Sequence, residues 1–131
     1  MKQDRLLNPE LARAVAALGH TEFLVIADAG LPIPAGVPVI DVSVTRGVPG
    51  FLPVLEAVAQ ELVVESCIAA SETPEKNPAL SAQMDAVLGG VPCRFVPHET
   101  FKELTKQARA VIRTGECSPY ANVILVGGVN F

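Results

Sequence analysis

Two hydrophobic rhythms alternate along the chain. Leu11, Val15 and Leu18 recur at helical spacing behind Asn8, which can cap a helix, Pro9, which suits its first position, and Glu10, which favours the positive end of the dipole. Gly19 follows where a C-terminal cap belongs, so this segment predicts a first helix. Phe23 to Ala27 is then apolar without a break, the pattern of a strand buried on both faces, and it stops at Asp28-Ala29-Gly30. Val37 to Val44 predicts a second strand with Pro38 near its start, where proline is tolerated. A helix over Pro53 to Leu62 and a third apolar strand over Val63 to Ala70 follow.

Asn77 to Leu88 predicts a helix ended by Gly89-Gly90, and Cys93 to Val96 a short strand. Thr100 and Glu103 have capping-box spacing and open a helix running to about Ala108. Ala110 to Ile112 and Asn122 to Val126 finish as short strands around the loop from Arg113 to Ala121. Strands alternating with helices over 131 residues predict one α/β domain, a three-layer α/β/α sandwich around a mostly parallel or mixed sheet, Rossmann-like.

Composition narrows the class. Half the residues are apolar and 18% are charged, enough to build a core and too few charges for a disordered chain. The net charge of −4 lacks the basic footprint of phosphate-backbone binding, so no nucleic-acid partner is expected. Every apolar stretch is broken well short of the roughly 20 residues a membrane span needs, and the first residues lack the apolar run of a signal peptide, so we expect no membrane partner and a cytoplasmic protein. Three widely spaced cysteines, Cys67, Cys93 and Cys117, suggest neither a disulfide framework nor a zinc site. A mean hydropathy of +0.39 is high for a soluble monomer and points to a homo-oligomer.

Ligands of open α/β sheets gather at the carboxyl ends of strands, so polar residues there are the first candidates. Asp28 fits either a turn-forming residue bonding its own backbone or a carboxylate at a cleft rim. His20 and His98, the only histidines, fit a helix cap and a helix entry respectively, or an acid/base group titrating near neutrality. Tyr120 and Asn122 lie in the densest polar stretch, Arg113 to Asn122; they fit an ordinary surface loop or partners for sugar hydroxyls. No ligand spacing suggests a metal, Gly127-Gly128 makes no dinucleotide fingerprint, and no cofactor is expected. Lys102, Lys106 and Arg109 share a face of the predicted helix, read as solvated. No local motif supports Cys117 as a nucleophile.

One geometric constraint bears on these candidates. At about 3.3 Å per residue, eight extended residues separate His20 from Asp28 by roughly 26 Å, so a site using both would be completed by a neighbouring subunit.

Several strings in one order carry a resemblance over Leu7 to Phe131. They are Leu18-Gly19-His20-Thr21, Ile26-Ala27-Asp28-Ala29-Gly30-Leu31-Pro32, Lys102-Glu103-Leu104-Thr105-Lys106, Ala110-Val111-Ile112-Arg113-Thr114-Gly115-Glu116 and Pro119-Tyr120-Ala121-Asn122. With them the chain resembles the D-ribose pyranase / L-fucose mutarotase family. The resemblance implies a cytoplasmic isomerase that interconverts pyranose and furanose forms of D-ribose and serves ribose uptake. It implies His20 as the acid/base residue and Asp28, His98, Tyr120 and Asn122 as sugar-binding positions. It also implies a ring-shaped homo-oligomer, commonly a decamer of two pentamers, with sites near subunit contacts. The alternatives are a mutarotase exchanging anomers of ribose or L-fucose, a non-catalytic sugar-binding component of ribose transport, and a hydrolase using Cys117 with His98.

Overall fold

A six-stranded sheet with one reversed strand organises the chain. The computed structural model describes residues 1–3 and 5–131. The elements run α1 (Pro9–Ala17), β1 (Phe23–Ala27), β2 (Val39–Asp41), α2 (Phe51–Ala59), β3 (Val64–Ala70), α3 (Glu72–Lys76), α4 (Pro78–Leu88), β4 (Cys93–Val96), α5 (His98–Leu104), a 3₁₀ turn (Thr105–Gln107), β5 (Ala108–Arg113) and β6 (Val123–Gly127). The strand order is β2-β5-β1-β6-β3-β4. β5 pairs parallel with β1 and β2, and β3 with β4, whereas β6 is antiparallel to both its neighbours.

The reversal follows from the chain between β5 and β6. Residues 114–122 contain no helix and turn back on the edge where β5 ends, whereas a parallel return would need a crossover of about a dozen residues or more. As a result, the start of β6 shares an edge with the carboxyl ends of the other five strands. That edge collects residues from four separate places in the sequence.

Alternating side chains serve two cores. Leu24, Ile26, Ile112, Val123 and Leu125 meet Leu11 of α1, Phe51, Leu55 and Val58 of α2, and Leu80, Met84 and Leu88 of α4. Val25, Ala27, Val111 and Ile124 meet Phe101 of α5 and Leu31 on the opposite face. The α/β/α sandwich is therefore present with unequal layers, and the single antiparallel strand is its departure from a Rossmann-like pattern.

Several boundaries differ from the sequence reading, each for a local reason. Asn8 caps α1 as expected, its Oδ1 accepting the Glu10 and Leu11 amides at 2.9 and 3.1 Å. Gly19 is not a left-handed cap: the helix closes at extended Leu18, and the Gly19 amide donates to the Glu22 carboxylate at 2.6 Å. Gly89 does end α4 in the left-handed region. β2 is confined to three residues at the sheet edge, and α2 starts at Phe51, two residues earlier than expected.

The capping box at Thr100 is not formed. α5 begins at His98, whose amide is taken by the Glu72 carboxylate at 3.0 and 3.3 Å. The helix stops at Leu104, so Arg109 lies on β5, away from the face of Lys102 and Lys106. Those three cations pair with Glu99, Glu103 and Glu22, in keeping with a solvated reading.

Candidate functional site

At the shared edge, β1 is followed by Asp28 and β6 is preceded by Asn122, and the two side chains lock together. Asn122 Oδ1 accepts the Asp28 amide at 2.8 Å, while its Nδ2 donates to Asp28 Oδ2 at 3.1 Å. The Gly30 amide donates to Asp28 Oδ1 at 3.0 Å. Asp28 is thus a turn-former and a rim carboxylate at once. Each carboxylate oxygen takes one donor from the chain and keeps acceptor capacity for a ligand hydroxyl. Asn122 is only 2% exposed, so its orientation is fixed by these bonds before any ligand arrives.

His98 and Tyr120 form the opposing wall. Their ring centroids lie 5.1 Å apart at 79°, an edge-to-face contact, and His98 also stacks on Phe101 at 6.2 Å and 9°. His98 Nδ1 is buried and has no hydrogen-bond partner among the described residues. A buried ring nitrogen of this kind calls for a partner, and a ligand hydroxyl can be one. With Leu31, Pro32 and Pro119 these residues enclose an open cup of about 320 Å³. A carboxylate, a carboxamide, an imidazole and a phenol supply both donors and acceptors, which suits a polyhydroxylated small molecule.

The supports of the cup were not evident from sequence. Tyr120 has φ 55°, a left-handed conformation that costs an L residue about 1–2 kcal/mol. Thr73 Oγ1 donates to its carbonyl at 2.9 Å, and Asn77 Nδ2 donates to the Pro119 carbonyl at 2.9 Å. Thr114 Oγ1 donates to the Ala27 carbonyl at 2.8 Å, and the Ala29 amide to the Glu116 carbonyl at 2.8 Å, fastening the 114–122 loop to the end of β1. Burial opposes ionisation of Glu116, but the Phe51, Ser118 and Cys117 amides and the Ser118 hydroxyl outweigh it and hold the carboxyl below its ordinary value. A Glu at the N-terminus of α2 is also favoured by the helix dipole.

His20 is not in the cup. It precedes β1 at the opposite edge of the sheet, half-exposed, with Nε2 3.0 Å from Glu65 Oε1. Its turn is pinned to the end of β6: Thr21, at φ 69°, donates its amide to the Gly127 carbonyl at 2.8 Å, and Gly127 returns a bond to Glu22 at 2.9 Å. The approach is so close that a Cβ at Gly127 would lie 2.5 Å from the Gly19 carbonyl oxygen. His20 lines a cavity of about 550 Å³ with Leu18, Val63, Val129 and Phe131 among its walls. Four of the five expected residues therefore converge, and the fifth sits at the far end of the same strand. Glu65 was not singled out in the sequence, although it is a lone carboxylate near the start of an apolar run.

The other candidates fall elsewhere. Cys117 is exposed, with its thiol directed at the Gly115 carbonyl at 3.4 Å. Cys67 and Cys93 face one another in register across β3 and β4, where the hydrogen bond that Cys67 donates to Cys93, together with burial, pushes the Cys67 thiol up. Among the described residues no group of three or more His, Cys, Asp or Glu is placed to hold a metal ion, and no helix is long and apolar enough to cross a membrane.

Fold and cup together define a class: small single-sheet α/β proteins with a polar cup where a reversed strand meets the carboxyl ends of its neighbours. Comparison with known proteins makes this specific. The chain belongs to the RbsD / FucU transport protein family, whose model matches residues 1–130. It is 54% identical over 131 residues to the D-ribose pyranase of Geobacillus kaustophilus, covering 100% of this chain and 96% of that one. It is 53% identical to the D-ribose pyranase of Geobacillus thermodenitrificans, covering 100% and 99%. Among solved structures, Bacillus subtilis RbsD complexed with D-ribose superposes with a TM-score of 0.96 at 46% identity, with full coverage of both chains.

Proposed function

We propose that this chain is an isomerase interconverting the β-pyranose and β-furanose forms of D-ribose. The observation that carries the reading is identity above 50%, over the whole chain, to relatives named D-ribose pyranase. The ribose-complexed relative of the same fold supports the sugar.

The chemistry suits the residues present. Ring opening removes the anomeric hydroxyl proton and delivers a proton to the ring oxygen; closure of a different hydroxyl on the aldehyde reverses both transfers. Atoms and electrons balance without a co-reactant, and one imidazole can act as acid in one direction and base in the other, typically worth about 10²–10⁴-fold. In this reading Asp28, Asn122 and His98 hold the sugar hydroxyls, Tyr120 covers the ring, and His20 moves the proton. A carboxylate only accepts, so the contact with Glu65 puts the His20 hydrogen on Nε2 and leaves Nδ1 as the basic nitrogen.

Because His20 and the cup occupy opposite sheet edges, the site is joined between subunits, His20 of one copy facing the cup of the next. The proposed assembly is a homo-oligomer, a decamer of two pentameric rings, acting in the cytoplasm beside ribose uptake. Exposed Val39, Val44, Val48, Phe95 and Phe131 provide apolar surface for such contacts.

The test is NMR of equilibrated ribose, saturating the β-furanose anomeric signal and observing β-pyranose. Transfer that rises with the protein and collapses with His20→Ala is expected. Faster α/β exchange without transfer to pyranose would identify a mutarotase instead, and no added exchange a binding component.

A further inference from the structure

We infer that α3, with Asn77 at its end, is a positioning clamp that sets the two rings of the cup, and that Thr73 is its principal residue. The inference rests on the reading above and adds residues that the cup itself does not contain.

Tyr120 is the residue most firmly held. Two peptide planes flank it, and each is held by a side chain from α3 or its end. The Pro119 carbonyl, in the plane before Tyr120, accepts from Asn77 Nδ2 at 2.9 Å. The Tyr120 carbonyl, in the plane after it, accepts from Thr73 Oγ1 at 2.9 Å. Fixing both planes fixes φ and ψ of the residue between them, and so the direction in which its ring leaves the backbone. Tyr120 needs this support because its φ of 55° lies where residues with a side chain seldom rest. The same carbonyl also receives the Asn122 amide at 3.0 Å, so the bond from Thr73 acts on the segment that presents Asn122.

The other ring is held from the same helix. Glu72, adjacent to Thr73, takes the His98 amide at the start of α5 on both carboxylate oxygens, at 3.0 and 3.3 Å. Three contacts thus issue from one short helix and the residue that ends it: Glu72 to His98, Thr73 to Tyr120, Asn77 to Pro119. The rings they place meet edge to face at 5.1 Å. Thr73 is fully buried, so its hydroxyl has no water to exchange with, and the bond to Tyr120 is the use the structure gives it.

A clamp differs from simple scaffolding in what its loss changes. His20 lies at the other edge of the sheet, so loosening Tyr120 weakens sugar capture while sparing the proton transfer. The chain also supplies its own reporter: it has one tyrosine and no tryptophan, so its tyrosine near-ultraviolet dichroism comes from Tyr120 alone.

The experiment compares wild type, Thr73→Val, Thr73→Ser and Asn77→Ala in the full assembled protein. Tyrosine dichroism is recorded without sugar, and β-furanose to β-pyranose exchange by NMR over a range of ribose concentrations. Thr73→Val keeps the shape and removes the donor. It should lose much of the tyrosine signal and raise KM for ribose about three- to tenfold, the scale of one lost hydrogen bond. The limiting rate should change less than about twofold, and Thr73→Ser should restore both KM and signal. Wild-type KM and tyrosine signal in Thr73→Val would overturn the proposal, as would a loss confined to the limiting rate. If Thr73→Val does not fold, Asn77→Ala, on a partly exposed position, carries the same expectation for its own bond. Failure of wild type to exchange the ring forms would refute the functional reading instead, and the sugar-free tyrosine signal would still decide the clamp.

Discussion

Asn122→Asp is the sharpest perturbation of the cup, because it changes almost no volume and reverses one interaction. Nδ2 of Asn122 donates to Asp28 Oδ2 at 3.1 Å, and the substitution sets a carboxylate oxygen in its place. Two unit charges at that separation repel by about 5 kcal/mol at an effective dielectric of about 20. The protein can escape part of this by keeping one proton on the pair. Holding a proton at pH 7 on a group with an ordinary carboxyl pKa near 4 costs about 4 kcal/mol, at about 1.4 kcal/mol per pH unit. The cheaper route sets the ceiling, so the variant should lose about 4 kcal/mol at pH 7. The Asp28 amide, which still meets an acceptor, offsets some of that. The folded variant binds a proton that the unfolded chain releases, so its stability falls as pH rises from about 4 to 7. Urea unfolding followed by far-ultraviolet dichroism at pH 5, 6 and 7, at one fixed protein concentration, reads the slope. Ribose binding should recover in the same direction, improving as pH falls. A variant as stable as wild type at pH 7, with no additional slope between pH 5 and 7, would refute the Asp28–Asn122 lock.

Two further predictions test the supports. Glu116 carries a depressed pKa from its amide partners, so its stabilising contribution is present above the ordinary carboxyl range and lost as pH falls through the folded value. Glu116→Gln should cost on the order of 1 kcal/mol at pH 7, after screening by solvent, and converge with wild type in acid denaturation once the pH has fallen below the depressed folded value. Gly115→Ala should be strongly destabilising, because its Cβ would lie 2.6 Å from the backbone oxygens of Thr45 and Val48 and 2.8 Å from the Val48 nitrogen. Backbone cannot yield as a side-chain tip does, so a loss of about 3 kcal/mol or more is expected as a lower Tm, and an unchanged Tm would contradict the packing.

What could be read from sequence follows from the range of the forces involved. β1, β4 and the Asn8 cap are written in consecutive residues, so period and propensity suffice to find them. The direction of β6 is not local: it follows from a helix-free return over residues 114–122, and a short apolar run reads alike in either direction. α3 was missed because it is a five-residue helix with one fully buried residue, Thr73, whose role is a long-range bond to Tyr120. The Thr100 capping box failed because Glu72, distant in sequence, satisfied the helix start first. Among the site residues, Asp28, His98, Tyr120 and Asn122 were reachable as polar residues at strand ends, and the structure gathers them at one edge. That His20 and Asp28 fall at opposite ends of one strand was legible from sequence, but the run between them is not extended throughout: only Phe23–Ala27 is strand, and Thr21 turns through the left-handed region. The partner of His20, Glu65, was not legible, since pairing across β1, β6 and β3 depends on the strand order.

The central claim is that ribose is turned over where His20 of one copy meets the cup of another. Co-expression of His20→Ala with His98→Ala, under separate affinity tags, tests it most directly. Mixed oligomers are recovered by sequential purification and assayed by NMR saturation transfer. Each variant alone lacks one half of every site. In a random equal mixture with head-to-tail contacts, about a quarter of the interfaces combine an intact His20 with an intact cup, so about a quarter of wild-type exchange should return. Exchange no greater than the sum of the two separate variants would contradict a shared site and place the chemistry within a single chain.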